Sequence, residues 1–171
     1  TGGVGSLSIA LLNASGYEII ASTGKETQND YLKSLGVSQI INRSELSKQH
    51  KPLEQQKWIA AIDTVGSKTL ANICATTKSG GAIAACGMAQ GMDLTTTVAP
   101  FILRGITLYG INSVNIPTDK RIIAWNRLST ELDNSKFEYI SKCYKLGEVT
   151  NIAQKILRGE ITGRCVIDVN S

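Results

Sequence analysis

The 171-residue sequence predicts an α/β fold, a doubly wound parallel sheet whose first strand is truncated. Three observations lead there. Short apolar runs alternate with helical runs at a short period, glycine marks most of the switches between them, and the chain opens on Thr1-Gly2-Gly3-Val4-Gly5-Ser6 leading straight into an apolar helix. Strand, glycine turn and helix, repeated with right-handed crossovers, give a parallel sheet covered on both faces.

Taken in order, residues 5–14 form an apolar helix closed by Ser15-Gly16, where glycine suits a left-handed cap. Residues 17–22 are a β-branched run of the kind a buried parallel strand needs. Residues 26–35 place Tyr31, Leu32 and Leu35 on one helical face, with Gly36 as the stop, and residues 37–42 are the next strand. Residues 43–57 are polar, interrupted by Pro52, and read as a loop with room for one short helix. Residues 58–66 are a buried strand ending in a polar turn. Residues 67–77 are a helix capped by Ser67, with Leu70, Ile73 and Cys74 inward. Gly80-Gly81 breaks that helix, and residues 82–86 are a small-residue strand. After Gly87 come a loop, a β-rich run at 94–98, a short helix at 100–105 and a strand at 106–111. Residues 119–132 are an amphipathic helix opened by Pro117-Thr118 and carrying Ile122, Ile123, Trp125 and Leu128. A strand at 143–146, a helix at 149–158 and a last strand at 164–169 complete the chain, and the last strand need not join the same sheet.

Composition excludes several classes. With 42% hydrophobic and 19% charged residues the chain is ordinary globular material able to bury one core. A net charge of +4 is spread without a basic run, so no nucleic-acid footprint is indicated. No apolar run reaches the roughly 18 residues of a membrane span, and the start shows no signal-peptide pattern, so the chain reads as soluble and cytoplasmic. Cys74, Cys86, Cys143 and Cys165 form no C-x-x-C pair and read as buried reduced thiols; His50 reads as an exposed loop residue, and no metal site is expected.

The opening glycines carry the chemistry. Gly2 and Gly5 occupy the second and third glycine places of G-x-G-x-x-G, with Gly3 and Val4 between them. In that motif the backbone approaches a pyrophosphate, and the helix N-terminus offers it free N–H groups. The strand ends Ser22-Thr23-Gly24-Lys25, Asp63-Thr64-Val65-Gly66, Cys86-Gly87-Met88 and Gly110-Ile111-Asn112-Ser113 offer glycine, hydroxyl or amide groups at the carboxyl edge, where such sheets bind ligands. An NAD site would place Asp or Glu about 20 residues beyond the turn, on the ribose 2′-OH. Ser22, Thr23 and Lys25 stand there instead and favour a 2′-phosphate, hence NADPH. The same absence of an acid argues against a methyltransferase. Arg43, past the next strand, either flanks the adenine or phosphate or is a plain loop arginine. Asp63 either caps its turn or contacts a ribose.

These residues resemble the cofactor-binding half of the medium-chain dehydrogenase/reductase superfamily, in particular its zinc-free quinone-oxidoreductase-like branch that includes acryloyl-CoA reductase. The resemblance rests on Thr1 to Ser6, Tyr31-Leu32-Lys33-Ser34-Leu35-Gly36, Ala61 to Gly66, Ala85-Cys86-Gly87, Pro100-Phe101-Ile102-Leu103-Arg104 and Gly163-Arg164, in family order over nearly the whole chain. It implies an NAD(P)-binding Rossmann domain over residues 1–171. It also implies that an amino-terminal barrel-like (GroES-like) catalytic domain is missing, and that this piece alone does not turn over. The implied reaction is hydride transfer from NADPH to an activated C=C bond or a quinone, in a homodimer paired through the strand near residues 107–112. Asp63, Val65, Cys86 and Gly87 would line the ribose–nicotinamide end and Ile111 and Asn112 the carboxamide. Arg104 would contact a substrate phosphate or cap its short helix. The competing expectation is a non-catalytic nucleotide-sensing domain of the same fold.

Overall fold

The computed structural model describes residues 2–48 and 51–171. Thr1 and His50, on which two of the expectations above fall, lie outside the described residues. The chain divides into two compact units, residues 2–41 with 118–171, and residues 42–117.

In the first unit α1 spans Gly3–Ala14, beginning two residues before the sequence pattern suggested. It closes at Gly16, whose φ of +80° is left-handed; Tyr17 N–H reaches back to Leu12 and Gly16 N–H to Asn13. Strand β1 (Ile20–Thr23) pairs with β2 (Gln39–Asn42). The helix expected over 26–35 is a 3-10 turn, Glu26–Gln28, followed by α2 (Asn29–Ser34). Ile9, Ala10, Ile19, Ala21, Leu32, Leu35, Val37 and Ile140 form the core of this unit.

Ile140 ends a helix that the sequence pattern did not show. α6 (Thr118–Glu131) is followed by α7 (Asn134–Ile140), which is capped by Asp133 accepting the Ser135 N–H at 2.9 Å. The amphipathic face expected of α6 is exposed: Ile122, Ile123 and Trp125 are all more than half accessible and the helix has no buried residue. Parallel strands β6 (Ser141–Lys145) and β7 (Arg164–Asp168) run in register from Ser141 beside Arg164 to Lys145 beside Asp168. α8 (Val149–Leu157) makes the crossover between them. The last strand therefore has its own two-stranded sheet, and a bridge from Gly163 to Gly2 brings the tail to the start of α1.

The second unit opens with α3 (Arg43–Leu46), capped by the Asn42 side chain. Strands β3 (Trp58–Asp63), β4 (Thr77–Ala85) and β5 (Thr107–Gly110) form one parallel sheet in that order. Asp63, Ala85 and Gly110 are aligned across it, so three strands end side by side. α4 (Ser67–Thr76) and α5 (Ala99–Arg104) are the crossovers, and Leu70, Ile73, Cys74, Ile83 and Ile106 form the core beneath them.

Three local expectations are corrected here. Gly80-Gly81 does not end α4; it lies inside β4 where the register with β3 shifts, Gly80 at φ +73° and Gly81 against the Ile59 carbonyl. A bulge needs glycine for the same backbone reasons a helix stop does, so local sequence does not separate the two. Ser67 is not the cap of α4 either: Gly66 holds that position, and the Gln90 side chain accepts the Thr69 N–H at 3.0 Å in its place. Residues 94–98 form no strand, because their β-branched side chains have no neighbouring ladder to join.

Candidate cofactor-binding site

The first unit supplies an uncapped helix start. Gly2, in extended backbone, is the N-cap of α1; it has no side chain to offer, and the first turn contains no acid. The first intrahelical bond runs from Ser6 N–H to Gly2 O at 2.9 Å, which leaves the N–H groups of Gly3, Val4 and Gly5 without intrahelical acceptors at the positive end of the dipole. Ser6 itself is fully buried and accepts the Tyr31 hydroxyl at 2.9 Å, anchoring the turn to α2.

Arg164 was missed as a site residue, although the Gly163-Arg164 pair was visible in the sequence. A Cβ built on Gly3 would meet its guanidinium at 2.6–2.7 Å, so Arg164 lies directly on the opening turn of α1. The guanidinium needs the glycine beneath it. Gly5, by contrast, has no heavy atom within 4 Å of its Cβ position.

Ser22, Thr23 and Lys25 come together at the end of β1. Ser22 is exposed, while Thr23 is buried and its hydroxyl accepts the Lys25 N–H at 3.1 Å. Ser22 to Lys25, the residues of the strand end itself, include no carboxylate. The Lys25 side chain is half-buried and extends beside Gly159, the residue that ends α8.

In the second unit the strand ends meet around Asp63. Its Oδ2 accepts the Gly66 N–H at 2.8 Å, its carbonyl accepts the Cys86 N–H at 2.8 Å and the Cys86 thiol at 3.4 Å, and its Oδ1 is buried without a partner. Val65 accepts the Gln90 N–H, and Gly87 passes so close to the Thr64 carbonyl that a Cβ there would sit 2.3 Å from it. Ile111 N–H continues the ladder to Ala85, and Asn112 accepts the Val114 and Asn115 N–H groups on its Oδ1. Arg43 is exposed on α3.

Arg104 is held by backbone carbonyls. Its guanidinium donates to the carbonyls of Ala75 at 2.8 Å, Thr77 at 3.1 Å and Glu54 at 2.5 Å. These contacts hold α5 to the end of α4 and use three of the five guanidinium N–H groups. The cysteines also differ from the uniform burial expected: all four are free, Cys74 is buried, Cys165 partly so, and Cys86 and Cys143 are exposed because a strand end and the outer face of a two-stranded sheet have little to cover them.

Burial raises the Asp63 carboxyl above the usual carboxylate range, opposed by the N–H groups of Gly66 and Val65. Burial and then the Asp63 charge push the Cys74 thiol up to about 11, and the same two causes raise Cys86. A raised carboxyl contributes stability in its protonated form, fully present below its unfolded value and lost as pH rises through the folded one. We therefore expect Asp63→Asn to flatten the fall in unfolding midpoint between mildly acidic and neutral pH, read by thermal melts across that window. A parallel pH profile in the variant would show that Asp63 ionises as an ordinary surface acid.

The profile of the zinc-binding dehydrogenase family matches residues 3–130. The chain belongs to this family. It is the cofactor-binding, Rossmann half of a medium-chain dehydrogenase/reductase, as the resemblance implied. Acrylyl-CoA reductase AcuI of Ruegeria pomeroyi is 42% identical over 171 residues, 99% of this chain and 52% of the relative. YhfP of Bacillus subtilis, which carries the name of a quinone oxidoreductase, is 38% identical over 98% of this chain and 51% of its own, and its structure with NAD bound superposes at a TM-score of 0.93. The structure of Escherichia coli K-12 YhdH with bound NADPH superposes at 0.94, with 45% identity over 97% of this chain and 51% of that one. The chain spans about half the length of the curated relatives it matches.

Although the family is named for zinc, no three His, Cys, Asp or Glu side chains among the described residues come together as metal ligands. No described helix is long and apolar enough to cross a membrane. In the first unit, the start of α1, with no side-chain cap and with Arg164 on its first turn, suits a phosphate group; in the second, the Asp63 Oδ1 is buried without a hydrogen-bond partner.

Proposed function

We propose that this chain is the NADPH-binding half of a zinc-free reductase that delivers hydride to an activated C=C bond, with enoyl thioesters and quinones as the substrate classes. The observation that carries the reading is the uncapped start of α1 beneath the Arg164 guanidinium, in a unit whose β1 ends in Ser22, Thr23 and Lys25 with no carboxylate. The relatives that bear the names acrylyl-CoA reductase and quinone oxidoreductase support the substrate classes.

Bound NADPH supplies the hydride; the chain binds and orients. The N–H groups of Gly3, Val4 and Gly5, with Gly2 as N-cap and Arg164 alongside, hold the pyrophosphate. Ser22, Thr23 and Lys25 hold the 2′-phosphate. In the second unit, Asp63 presents its free Oδ1 to a ribose hydroxyl, Val65, Cys86 and Gly87 give the nicotinamide a close backbone surface, and Ile111 and Asn112 meet the carboxamide. Arg43 is assigned to the adenine side. Arg104 holds its own helix and is left out of the substrate set. β5 is bonded to β4 on one side, and its exposed other edge supports a homodimer in the full-length protein.

Lys25→Ala is expected to weaken NADPH binding by about tenfold while NADH affinity stays nearly constant, since only the 2′-phosphate meets the ammonium. Fluorescence titration of both cofactors checks it. Equal losses for the two would remove the 2′-phosphate from this turn and with it the preference for NADPH.

A further inference from the structure

The tail after α8 touches the turn that carries Lys25. Gly159, at φ +68°, ends the helix, and the N–H groups of Gly159 and Glu160 bond back to the Ile156 and Lys155 carbonyls, which fixes the backbone at this helix end. A Cβ on Gly159 would lie 3.7 Å from the Lys25 Nζ. Three residues further, the Thr162 hydroxyl accepts the Gln28 Nε2 at 2.7 Å, and Gln28 is itself buried. The segment from Gly159 to Thr162 is thus pinned along the turn from Lys25 to Gln28.

This segment carries a charge pair of its own. Arg158 grips Glu160 with two bonds, Nε to Oε1 at 2.6 Å and an NH2 group to Oε2 at 3.3 Å. The Arg158 hydrogen bond holds the Glu160 carboxyl below the usual range, with the charges of Arg158, Lys155 and Lys25 adding to the effect. Glu160 is therefore an anion at neutral pH, one residue along from the glycine that abuts the Lys25 ammonium.

We propose that Glu160 is a specificity-setting counter-charge for Lys25: from the tail it opposes a 2′-phosphate at the end of β1, and Arg158 limits that opposition. The inference rests on the reading that Lys25 meets the 2′-phosphate. It follows from the Glu160 charge and from the contact of its neighbour Gly159 with the Lys25 ammonium. A carboxylate several ångströms from a bound phosphate dianion raises its free energy, whereas a ligand without the 2′-phosphate scarcely senses it.

The test uses the full-length protein and two small probes, adenosine 2′,5′-bisphosphate and ADP, titrated calorimetrically at low and at high salt. Glu160→Gln should tighten the bisphosphate by about threefold at low salt, with ADP unchanged, and the gain should fade at high salt where the charges are screened. Arg158→Gln should move the bisphosphate the opposite way, because it frees the Glu160 carboxylate. Lys25→Ala is run beside them. If Lys25→Ala leaves the bisphosphate unaffected, the 2′-phosphate reading of the turn fails, whatever Glu160 does. If Lys25→Ala weakens it but Glu160→Gln does not strengthen it, or strengthens ADP equally, the counter-charge proposal alone is overturned.

Discussion

Gly3→Asp is expected to raise the NADPH dissociation constant by about a hundredfold or more while helix content is retained. Two effects combine. A Cβ at residue 3 would come within 2.7 Å of the Arg164 guanidinium and displace it from the opening turn of α1. The guanidinium is the far end of a flexible side chain, so the fold yields without breaking. The new carboxylate would then stand among the N–H groups assigned to the pyrophosphate and draw Arg164 into an ion pair, setting like charge beside two phosphates. At about 4 Å and an effective dielectric near 20, one such repulsion is about 4 kcal/mol, more than two decades of affinity. An acid in the first turn favours the helix itself, which keeps circular dichroism unchanged or slightly raised. Gly5→Ala is the control. Its Cβ position is open, so it should gain the roughly 0.5–1 kcal/mol by which alanine exceeds glycine in a helix and lose far less binding. Energy transfer from the tryptophans to bound NADPH measures both variants. Unchanged affinity in Gly3→Asp would reduce the glycine run to a turn and take the anchor from the site.

What could be read from the sequence was whatever is encoded locally. The parallel β3–β4–β5 sheet was legible because each strand is a short apolar run closed by a polar or glycine turn, and α1 because glycine spacing and an apolar helix adjoin. The absence of an acid after β1 was legible for the same reason: Ser22, Thr23 and Lys25 are neighbours. Long-range partners were not. α7 has one buried residue, Ile140, whose neighbours lie about a hundred residues earlier, so its helical period carries no apolar stripe. The face of α6 was legible as a pattern, but a pattern does not say what covers it. Gly80 and Gly81 look like a helix stop until β3 is laid beside them. Arg164 shows the limit most plainly, since only the Gly2–Gly163 bridge carries it to the start of α1.

Arg104→Ala is expected to cost about 3 kcal/mol of stability and to lower the unfolding midpoint by roughly 5–10 °C. One guanidinium serves three backbone carbonyls belonging to three parts of the second unit: Ala75 in the last turn of α4, Thr77 at the start of β4, and Glu54 in the preceding loop. That loop is strapped to the same place by Glu54 N–H to Ala75 O and Lys57 N–H to Thr76 O, at 2.9 and 2.8 Å. Helix ends leave carbonyls unpaired, and here α4 runs directly into β4 with no intervening turn to satisfy them. The planar fork reaches all three at once. Removing it strands acceptors in a half-buried position, where each bond to a charged donor is worth about 1.5–3 kcal/mol before solvent takes its share. Lysine, a single compact ammonium, cannot span the three carbonyls, so Arg104→Lys should recover less than half of the loss. The measurement also separates this role from the substrate contact expected of the Pro100–Arg104 pentad. A clamp lowers the melting temperature and leaves the Michaelis constants of the folded enzyme nearly alone. A phosphate contact would raise the Michaelis constant for a thioester substrate with the melting temperature unmoved, and that result would return Arg104 to the substrate site.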